Sequence, residues 1–570
     1  MNQGSGSAVS DQAAAGKSTT LDRFRRARSP YGLIILAGIL AHGWMLLNDG
    51  LFFDGWLIHT FLRENNWAEL RSMFLQHGSP GMAYFHWAMG HSGPLVLSYR
   101  LIALVSILAA GLAVYALARE TGWLTPAEAG WLALLSLLYP GMQVGFELIN
   151  VPYLVCYALF LAGFLAAFVA ERTHGWRQVL LRVLALLLLF ASFTTNSLLV
   201  FHYGFLLLLA LRIRDLQGLS SRETVLRYAP KRLDYLILPL LFWVLKESLF
   251  PRHGLYAEYN RFQLAPLRLL GNVSLFLVNA VYQQLNGALS ALLDQPALLL
   301  IMAAAVYLLR GAVARARLGS AAHPTPPLPV LGVALWLLAL GCLPYVVVGL
   351  APTVHGWSTR HALLIGLPWS LLFLAGLRLV LPLNTGAQLL ARSTVLLAIA
   401  VGSLLRTVEN QVSWQARWVK DKSLIHNLAD LPTARRFSVL WVDDRVPLGG
   451  ERDYRFYEWS SILKAAWGTQ RNVGLDRRTT TADFLTGSPQ FFIAQYNLRD
   501  FDPAGCQAVL TIRRGRLNLS DAELAARFHY VRLVRPALLD QFLSGVTDLD
   551  LEPLPGAPEA TRCPLRPREG

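Results

Sequence analysis

Residues 95–118 read LVLSYRLIALVSILAAGLAVYALA, and this stretch decides the class of fold. Its only charged side chain is Arg100. A run of this length exceeds the roughly 20 apolar residues that a helix needs to cross the hydrocarbon core of a bilayer. Because a backbone in lipid must satisfy its hydrogen bonds within the segment, a helix is the expected structure. The stretch therefore predicts a membrane-spanning helix.

Apolar runs of similar character recur along the first 410 residues, and together they predict about eleven spans. These spans lie near residues 31–47, 95–118, 126–140, 151–170, 178–193, 195–211, 234–250, 293–310, 328–350, 361–380 and 390–407. The composition agrees, since only 15% of residues are charged, against roughly 25% in soluble domains. Residues 266–292 carry several amides and predict an interfacial amphipathic helix instead. We therefore expect a polytopic α-helical membrane protein.

The net charge of +15 is distributed in a way that predicts topology. Basic residues collect in alternate short loops and in the N-terminal tail, residues 1–30, as the positive-inside rule requires. This pattern argues against nucleic acid as a partner and predicts contact with membrane lipids. We expect a multi-pass protein of the inner (plasma) membrane, with a cytoplasmic N-terminus and a long first outward loop at residues 48–94.

The composition becomes that of a soluble protein after residue 410. Charge density rises, and short β-branched or aromatic runs alternate with helical patterns. The chain therefore divides into a transmembrane domain at residues 31–410 and an extracytoplasmic α/β domain at residues 411–550. Residues 551–570 are rich in Pro, Glu and Arg and are predicted to be disordered. In an oxidising compartment Cys506 and Cys563 could form a disulfide.

The candidate chemistry lies just after the first span, where residues 48–56 read NDGLFFDGW. Carboxylates are costly to desolvate at a membrane boundary, so those that face a wet cavity are functional candidates. Asp54 is the first candidate and Asp49 the second. The alternative for Asp54 is that it only caps the helix that follows it.

Four features in this order resemble the GT-C superfamily of membrane glycosyltransferases, in the style of bacterial relatives of the dolichyl-phosphate-mannose protein mannosyltransferases. They are the motif FDGW at residues 53–56, a surface helix after it, the segment HGSPGMAYFH at residues 77–86, and a second span with Arg100 near its entrance and YALAR at its exit. The chain departs from the family pattern at Gly55, which stands where a second acid is common, and at Ser79, which replaces the first residue of a Pro-Pro pair.

The resemblance implies an enzyme that transfers a sugar from a polyprenyl-phosphate-linked donor to a glycan, lipid or protein acceptor on the extracytoplasmic face. Asp54 would act as the general base that takes the proton of the acceptor hydroxyl. Asp49 would help to stabilise the oxocarbenium-like transition state. Arg360 and His361 are candidates for binding the donor phosphate, because arginine matches phosphate oxygens bidentately. Alternatively, Arg360 extends to lipid headgroups, as arginines beside spans do.

Four further residues are candidates for substrate binding. Glu147 is an acid in an apolar stretch between two spans, where an unpaired carboxylate would be costly. His77, His86 and Trp56 lie in the first outward loop among many aromatic residues. The histidines lack the close spacing of metal ligands, so no metal site is assigned. A divalent metal cofactor is left open.

Two other functions compete with the enzyme. A transporter or flippase for lipids or lipid-linked sugars would also have many spans and polar groups at membrane depth. Transporters often have internal repeats with matched broken helices, whereas this chain concentrates its polar features in the first outward loop. A non-catalytic protein of cell-envelope assembly would act through its C-terminal domain.

Overall fold

The computed structural model describes residues 30–304, 326–382, 386–446, 454–469, 471–480, 502 and 505–554. The predictions for the N-terminal tail therefore lie outside the described residues. The same holds for most of the predicted disordered tail and for the second half of the predicted span at 293–310. The described chain forms a helical part up to Ala429 and a smaller part with a β-sheet after it.

Helices form the first part of the chain almost throughout. They are α1 (Pro30–His42), α2 (Gly55–Arg63), α3 (Trp67–Gln76), α4 (Pro80–Gly90), α5 (Leu95–Thr121), α6 (Pro126–Leu137), α7 (Val151–Ala170), α8 (Trp176–Ser192), α9 (Ser197–Gln217), α10 (Ser221–Tyr228), α11 (Leu233–Leu249), α12 (Pro266–Leu277), α13 (Gln283–Leu293), α14 (Pro296–Ala304), α15 (Pro327–Val346), α16 (Gly366–Val380) and α17 (Gly386–Ala429).

Six helices of the described chain are long and apolar enough to cross a membrane, or seven if one bent pair is counted as a span. The six are α1 with the turn after it, α5, α7 with the turn before it, α9, α15 and α17. The prediction of about eleven spans is higher than this number, because α6, α8, α11 and α16 have only 12, 17, 17 and 15 residues. The general prediction of a largely helical protein, with several helices long and apolar enough to cross a membrane, is confirmed.

The predicted interfacial region, residues 266–292, is helical. A π-helical turn at Val278–Tyr282 joins α12 to α13. The helix then bends by 87° into α14, as in a broken span or a re-entrant loop. Two amides of this region bind backbone carbonyls, since Asn272 donates to Val346 and Asn279, one of the amides behind the prediction, donates to Pro352. The interfacial placement of this region stays a prediction.

A buried ionic cluster joins three helices of the first part. Glu128 of α6 accepts hydrogen bonds from Arg378 of α16, with Nε to Oε1 at 2.9 Å, and from Arg392 of α17. The three side chains are only 4–6% exposed. Glu128 also completes a capping box with Thr125 at the start of α6. A buried charge needs such partners to offset its desolvation, so this cluster fixes how the three helices meet.

The long helix α17 contacts α13 at very short range. A Cβ atom on Gly402 would lie 2.2 Å from the carbonyl oxygen of Ala288. Only glycine permits this approach, because it has no Cβ. The contact anchors the bent region α12–α14 against the helix that leads into the C-terminal part.

The C-terminal part combines four strands with three helices. They are β1 (Val439–Asp444), α18 (Phe456–Trp467), β2 (Val473–Asp476), β3 (Gln507–Arg514), α19 (Asp521–Val534), α20 (Leu539–Ser544) and β4 (Thr547–Pro553). The strand order is β2-β1-β3-β4, with β1 parallel to both neighbours and β4 antiparallel to β3.

The helix α17 holds this sheet region in place and runs unbroken through residue 410, where the domain boundary is predicted. Trp418 packs edge-to-face on Phe528 of α19 at 4.8 Å between ring centroids. Ser423 donates to the carbonyl of Leu543 at 2.7 Å. Cys506, just before β3, is disulfide-bonded, whereas Cys563 lies outside the described residues.

Candidate functional site

Asp54 occupies the residue before α2, but it does not cap that helix. Its side chain makes no capping hydrogen bond. Instead, the hydroxyl of Tyr457, on α18 of the C-terminal part, donates a hydrogen bond to Oδ1 of Asp54. The carboxylate is half-buried. The capping alternative therefore has no support in this geometry, and a carboxylate outside its usual structural role is available for chemistry.

The residue before Asp54 has a strained backbone. Phe53 has φ of +50°, which non-glycine residues rarely adopt and which persists only where the surroundings enforce it. Its buried ring packs on Trp357 at 5.3 Å and Trp414 at 5.7 Å between centroids. The guanidinium of Arg417 lies 4.5 Å from the ring centroid of Phe53. These contacts from three sides hold the turn that presents Asp54.

A cavity of about 570 Å³ lies between α7, α9, α11, α15 and the loops next to them, and Asp54 is not among the residues that line it. Three cationic side chains, Lys246, Arg252 and Arg360, line it together with one acid, Glu247. We call it the cationic cavity. Arg252 is 3.8 Å from Glu247, whereas Lys246 and Arg360 have no carboxylate of the described chain within ion-pair distance. An excess of positive charge in a partly enclosed space favours an anionic ligand.

Arg360 is placed to bind an anion. Its guanidinium stacks 3.9 Å from the ring centroid of Trp357, and Nη1 donates to the backbone carbonyl of that residue at 3.0 Å. It forms no ion pair with a carboxylate of the described chain. The stacking fixes the plane of the guanidinium, which leaves other N–H groups for a phosphate.

Lys246 is the second such cation, near the C-terminal end of α11. Its side chain is 8% exposed, and Nζ donates to the side-chain oxygen of Asn196 at 3.0 Å. Within the described residues no carboxylate lies within ion-pair distance of it. A buried ammonium without a counter-ion is costly. Such a group is therefore expected to have a functional partner.

Two predicted histidines also line the cationic cavity, and both are neutral. Burial, followed by the charges of Lys246, Arg252 and Arg360, lowers the pKa of His77 to about 4. Burial, with Arg360 beside it, lowers the pKa of His361 to about 3. The Nδ1 of His361 donates to the carbonyl of Ala351 at 3.2 Å. As neutral rings, they add no positive charge to the cavity.

An apolar cavity of about 280 Å³ adjoins the cationic cavity. It lies between α4, α8 and α11, and its walls include Phe190, Phe242 and Leu249. Lys246 and Thr194 line both cavities. We call this space the apolar groove. A ligand with an anionic head and a hydrocarbon chain would find a partner for each end, one on either side of Lys246.

The other predicted site residues lie away from the cationic cavity. Asp49 is exposed and pairs with Lys422 at 3.9 Å and Arg532 at 3.6 Å. His86 is buried, and its Nδ1 lies 2.7 Å from the hydroxyl of Tyr99. Asp49 and His86 thus have contacts within the protein, and their roles in chemistry stay predictions.

Glu147 and Trp56 are also enclosed by the protein. Glu147 is fully buried and accepts a hydrogen bond from Asn150. Trp56 is 6% exposed on α2, and its indole N–H has no acceptor among the described residues. Neither lines the cationic cavity. Their roles as substrate-binding residues stay predictions.

Trp357 connects Asp54 to the cationic cavity. One side of this indole contacts Phe53, the neighbour of Asp54, and the guanidinium of Arg360 stacks on the same ring. The neighbour of the predicted base and the predicted phosphate-binding arginine therefore pack on the same indole, although Asp54 and Arg360 are 306 positions apart in sequence. Among the residues that the structure describes, no group of three or more His, Cys, Asp or Glu side chains is placed to hold a metal.

Comparison with known proteins does not assign the chain to a family. No family model matches the chain, and no curated protein or solved structure is significantly similar to it. The resemblance to GT-C glycosyltransferases therefore rests on the local motifs alone.

Two residues of this site were missed in the sequence. Lys246 carried a usable signal, because a lysine in the predicted apolar span 234–250 is a functional candidate by default. Tyr457 carried none, since it is 403 positions from Asp54 and lies in an ordinary amphipathic helix.

Proposed function

We propose that the protein is an integral-membrane glycosyltransferase that takes a sugar from a polyprenyl-phosphate-linked donor. The observation that supports this most is the pairing of the cationic cavity with the apolar groove across Lys246. A polyprenyl phosphate has the same two parts, an anionic head and a long hydrocarbon chain. The cavity volume of about 570 Å³ is within the range of small-molecule sites.

In the proposed reaction, the acceptor hydroxyl attacks the anomeric carbon of the donor sugar. The new bond joins the acceptor oxygen to that carbon, and the bond from the carbon to the phosphate oxygen breaks. Asp54 takes the proton of the hydroxyl as general base. The polyprenyl phosphate leaves with the bonding electrons, and Arg360 and Lys246 stabilise its negative charge.

The half-buried position of Asp54 suits this role. A base must be reached by the acceptor, and a partly exposed carboxylate can be reached. The proposed location starts from the predicted outward position of the first loop at the inner membrane, and the C-terminal part is on the same side because Tyr457 binds Asp54 of that loop. The acceptor would then be a glycan, lipid or protein of the cell envelope.

The test is sugar transfer by the purified full-length protein in lipid nanodiscs. Wild type, Asp54→Asn and the control Asp430→Asn would receive a panel of polyprenyl-phosphate sugars and a membrane extract as acceptor. Asp430 is exposed at the end of α17, so its substitution should leave transfer unchanged. We expect Asp54→Asn to keep only a small residual rate of transfer and an unchanged melting temperature, because asparagine is nearly isosteric but is not a base.

Equal transfer by wild type and Asp54→Asn would contradict the assignment of the base. A protein that binds the donors in the cationic cavity but transfers none of the sugars would favour the second candidate, a transporter or flippase for lipid-linked sugars. The same pairing of cavity and groove would suit that function.

A further inference from the structure

The C-terminal part contributes a side chain to the Asp54 site. Tyr457 of α18 donates its hydroxyl proton to Oδ1 of Asp54. Among the described residues Asp54 forms no second hydrogen bond through its side chain, and the residue is partly exposed. One oxygen of the carboxylate is therefore held, and the other has no hydrogen-bond partner in the described part of the chain.

A second set of contacts, made by Arg417, holds the residues next to both partners of this hydrogen bond. Arg417 of α17 lies 4.5 Å from the ring centroid of Phe53, which precedes Asp54. Its Nη2 also donates to Glu458, which follows Tyr457, at 3.2 Å. The side chains of Arg417 and Glu458 are 1% and 0% exposed. The same guanidinium thus fixes the neighbour of the acid and the neighbour of the hydroxyl.

A third contact joins the two helices farther along. Lys464 of α18 forms an ion pair with Glu64, the residue directly after α2. Tyr457 and Lys464 are seven residues apart, two turns on one face of α18. The helix α18 therefore lies along α2 with two polar contacts at fixed spacing, and this arrangement holds Tyr457 over Asp54.

From these contacts we propose that Tyr457 is a positioning residue for Asp54. Its hydroxyl fixes the rotamer of the carboxylate by binding Oδ1, so that Oδ2 is directed at the acceptor hydroxyl. A base oriented by a third group is a general requirement for efficient proton transfer. The C-terminal part is then a component of the active site. This role rests on the proposed function, since it requires Asp54 to act as the base.

The experiment compares four full-length proteins in nanodiscs: wild type, Tyr457→Phe, Asp54→Asn and the double variant. Tyr530→Phe is the matched control, because Tyr530 is a 49% exposed tyrosine of the same part. We expect Tyr457→Phe to lower kcat about tenfold, with KM for the lipid donor and the melting temperature unchanged. In the Asp54→Asn background the same substitution should cause no further loss, and Tyr530→Phe should behave as wild type.

Two results would overturn the role of Tyr457 and leave the proposed function intact. One is full kcat in Tyr457→Phe. The other is a loss of kcat that is equally large in the Asp54→Asn background, because the hydroxyl would then act independently of that carboxylate. A wild-type protein that transfers none of the sugars would instead overturn the proposed function, and the role of Tyr457 with it.

Discussion

Replacing Arg360 by glutamine should weaken the binding of a polyprenyl phosphate by roughly 10- to 150-fold. Arg360 lines the cationic cavity, stacks on Trp357 and forms no ion pair with a carboxylate of the described chain. Its free N–H groups would therefore bind the phosphate directly. A hydrogen bond to a charged group contributes about 1.5–3 kcal/mol, and each 1.4 kcal/mol changes Kd tenfold.

The assay is fluorescence anisotropy of a labelled short-chain polyprenyl phosphate with the purified protein in nanodiscs. The matched control is Arg261→Gln. Arg261 lies on a loop beside the cavity, but its side chain is 69% exposed and paired with Glu258. We expect this control to bind as wild type does. A labelled polyprenol without phosphate should bind wild type and Arg360→Gln equally, because only the head group contacts Arg360.

A Kd for Arg360→Gln within twofold of the wild-type value would refute the reasoning, since the cation would then make no contact with the phosphate. Equal weakening by Arg261→Gln would also refute it, because a general attraction of the positive surface would explain binding. Weaker binding of the uncharged polyprenol to Arg360→Gln would show that the substitution disturbs the cavity itself.

Three further predictions concern stability, each measured by the melting temperature in detergent. Gly402→Ala should destabilise the folded protein by about 1–3 kcal/mol, because its Cβ would meet the carbonyl oxygen of Ala288. The control Gly376→Ala, with open space around it, should not destabilise the protein. Equal effects of the two substitutions would contradict the close contact. Glu128→Gln should cost about 3–5 kcal/mol, because it leaves buried arginines uncompensated, and an unchanged melting temperature would contradict this. The pKa of His77 in the folded protein, about 4, is below its ordinary value. The unfolded chain therefore binds more protons between pH 6.5 and 4, and stability falls as pH falls through that window. His77→Gln should reduce this acid sensitivity, and a pH profile of stability identical to that of wild type would argue against it.

The helices could be predicted from the sequence because their signal is local. The runs near residues 95–118 and 151–170 have one physical reading, a helix long enough to cross a bilayer, and α5 and α7 begin at the predicted residues. The count of spans could not be predicted as well. The run at 126–140 is apolar, yet α6 ends at Leu137, because the chain turns before the helix is long enough to cross.

The candidate site could be predicted from the sequence only where a residue carries a local signal. Asp54 and Arg360 are charged groups beside apolar runs, and this placement alone is informative. Asp49 has the same signal, but it pairs with Lys422 of α17 and with Arg532 of the C-terminal part, and no local pattern reveals partners that are hundreds of positions away. Tyr457 became a candidate only when the fold placed it against Asp54.

The length of α17 has a consequence for how the protein can move. At 1.5 Å per residue, its 44 residues extend about 66 Å, roughly twice the hydrocarbon thickness of a bilayer. The helix has no break between Gly402, which contacts α13, and Arg417, which contacts Phe53. Each residue inserted between them would turn Arg417 by about 100° about the helix axis. The number of residues in this interval therefore sets the rotation of the sheet region relative to the membrane helices. A tilt of α17 near Gly402 must shift Asp54 and Tyr457 together, because Arg417 contacts the neighbours of both.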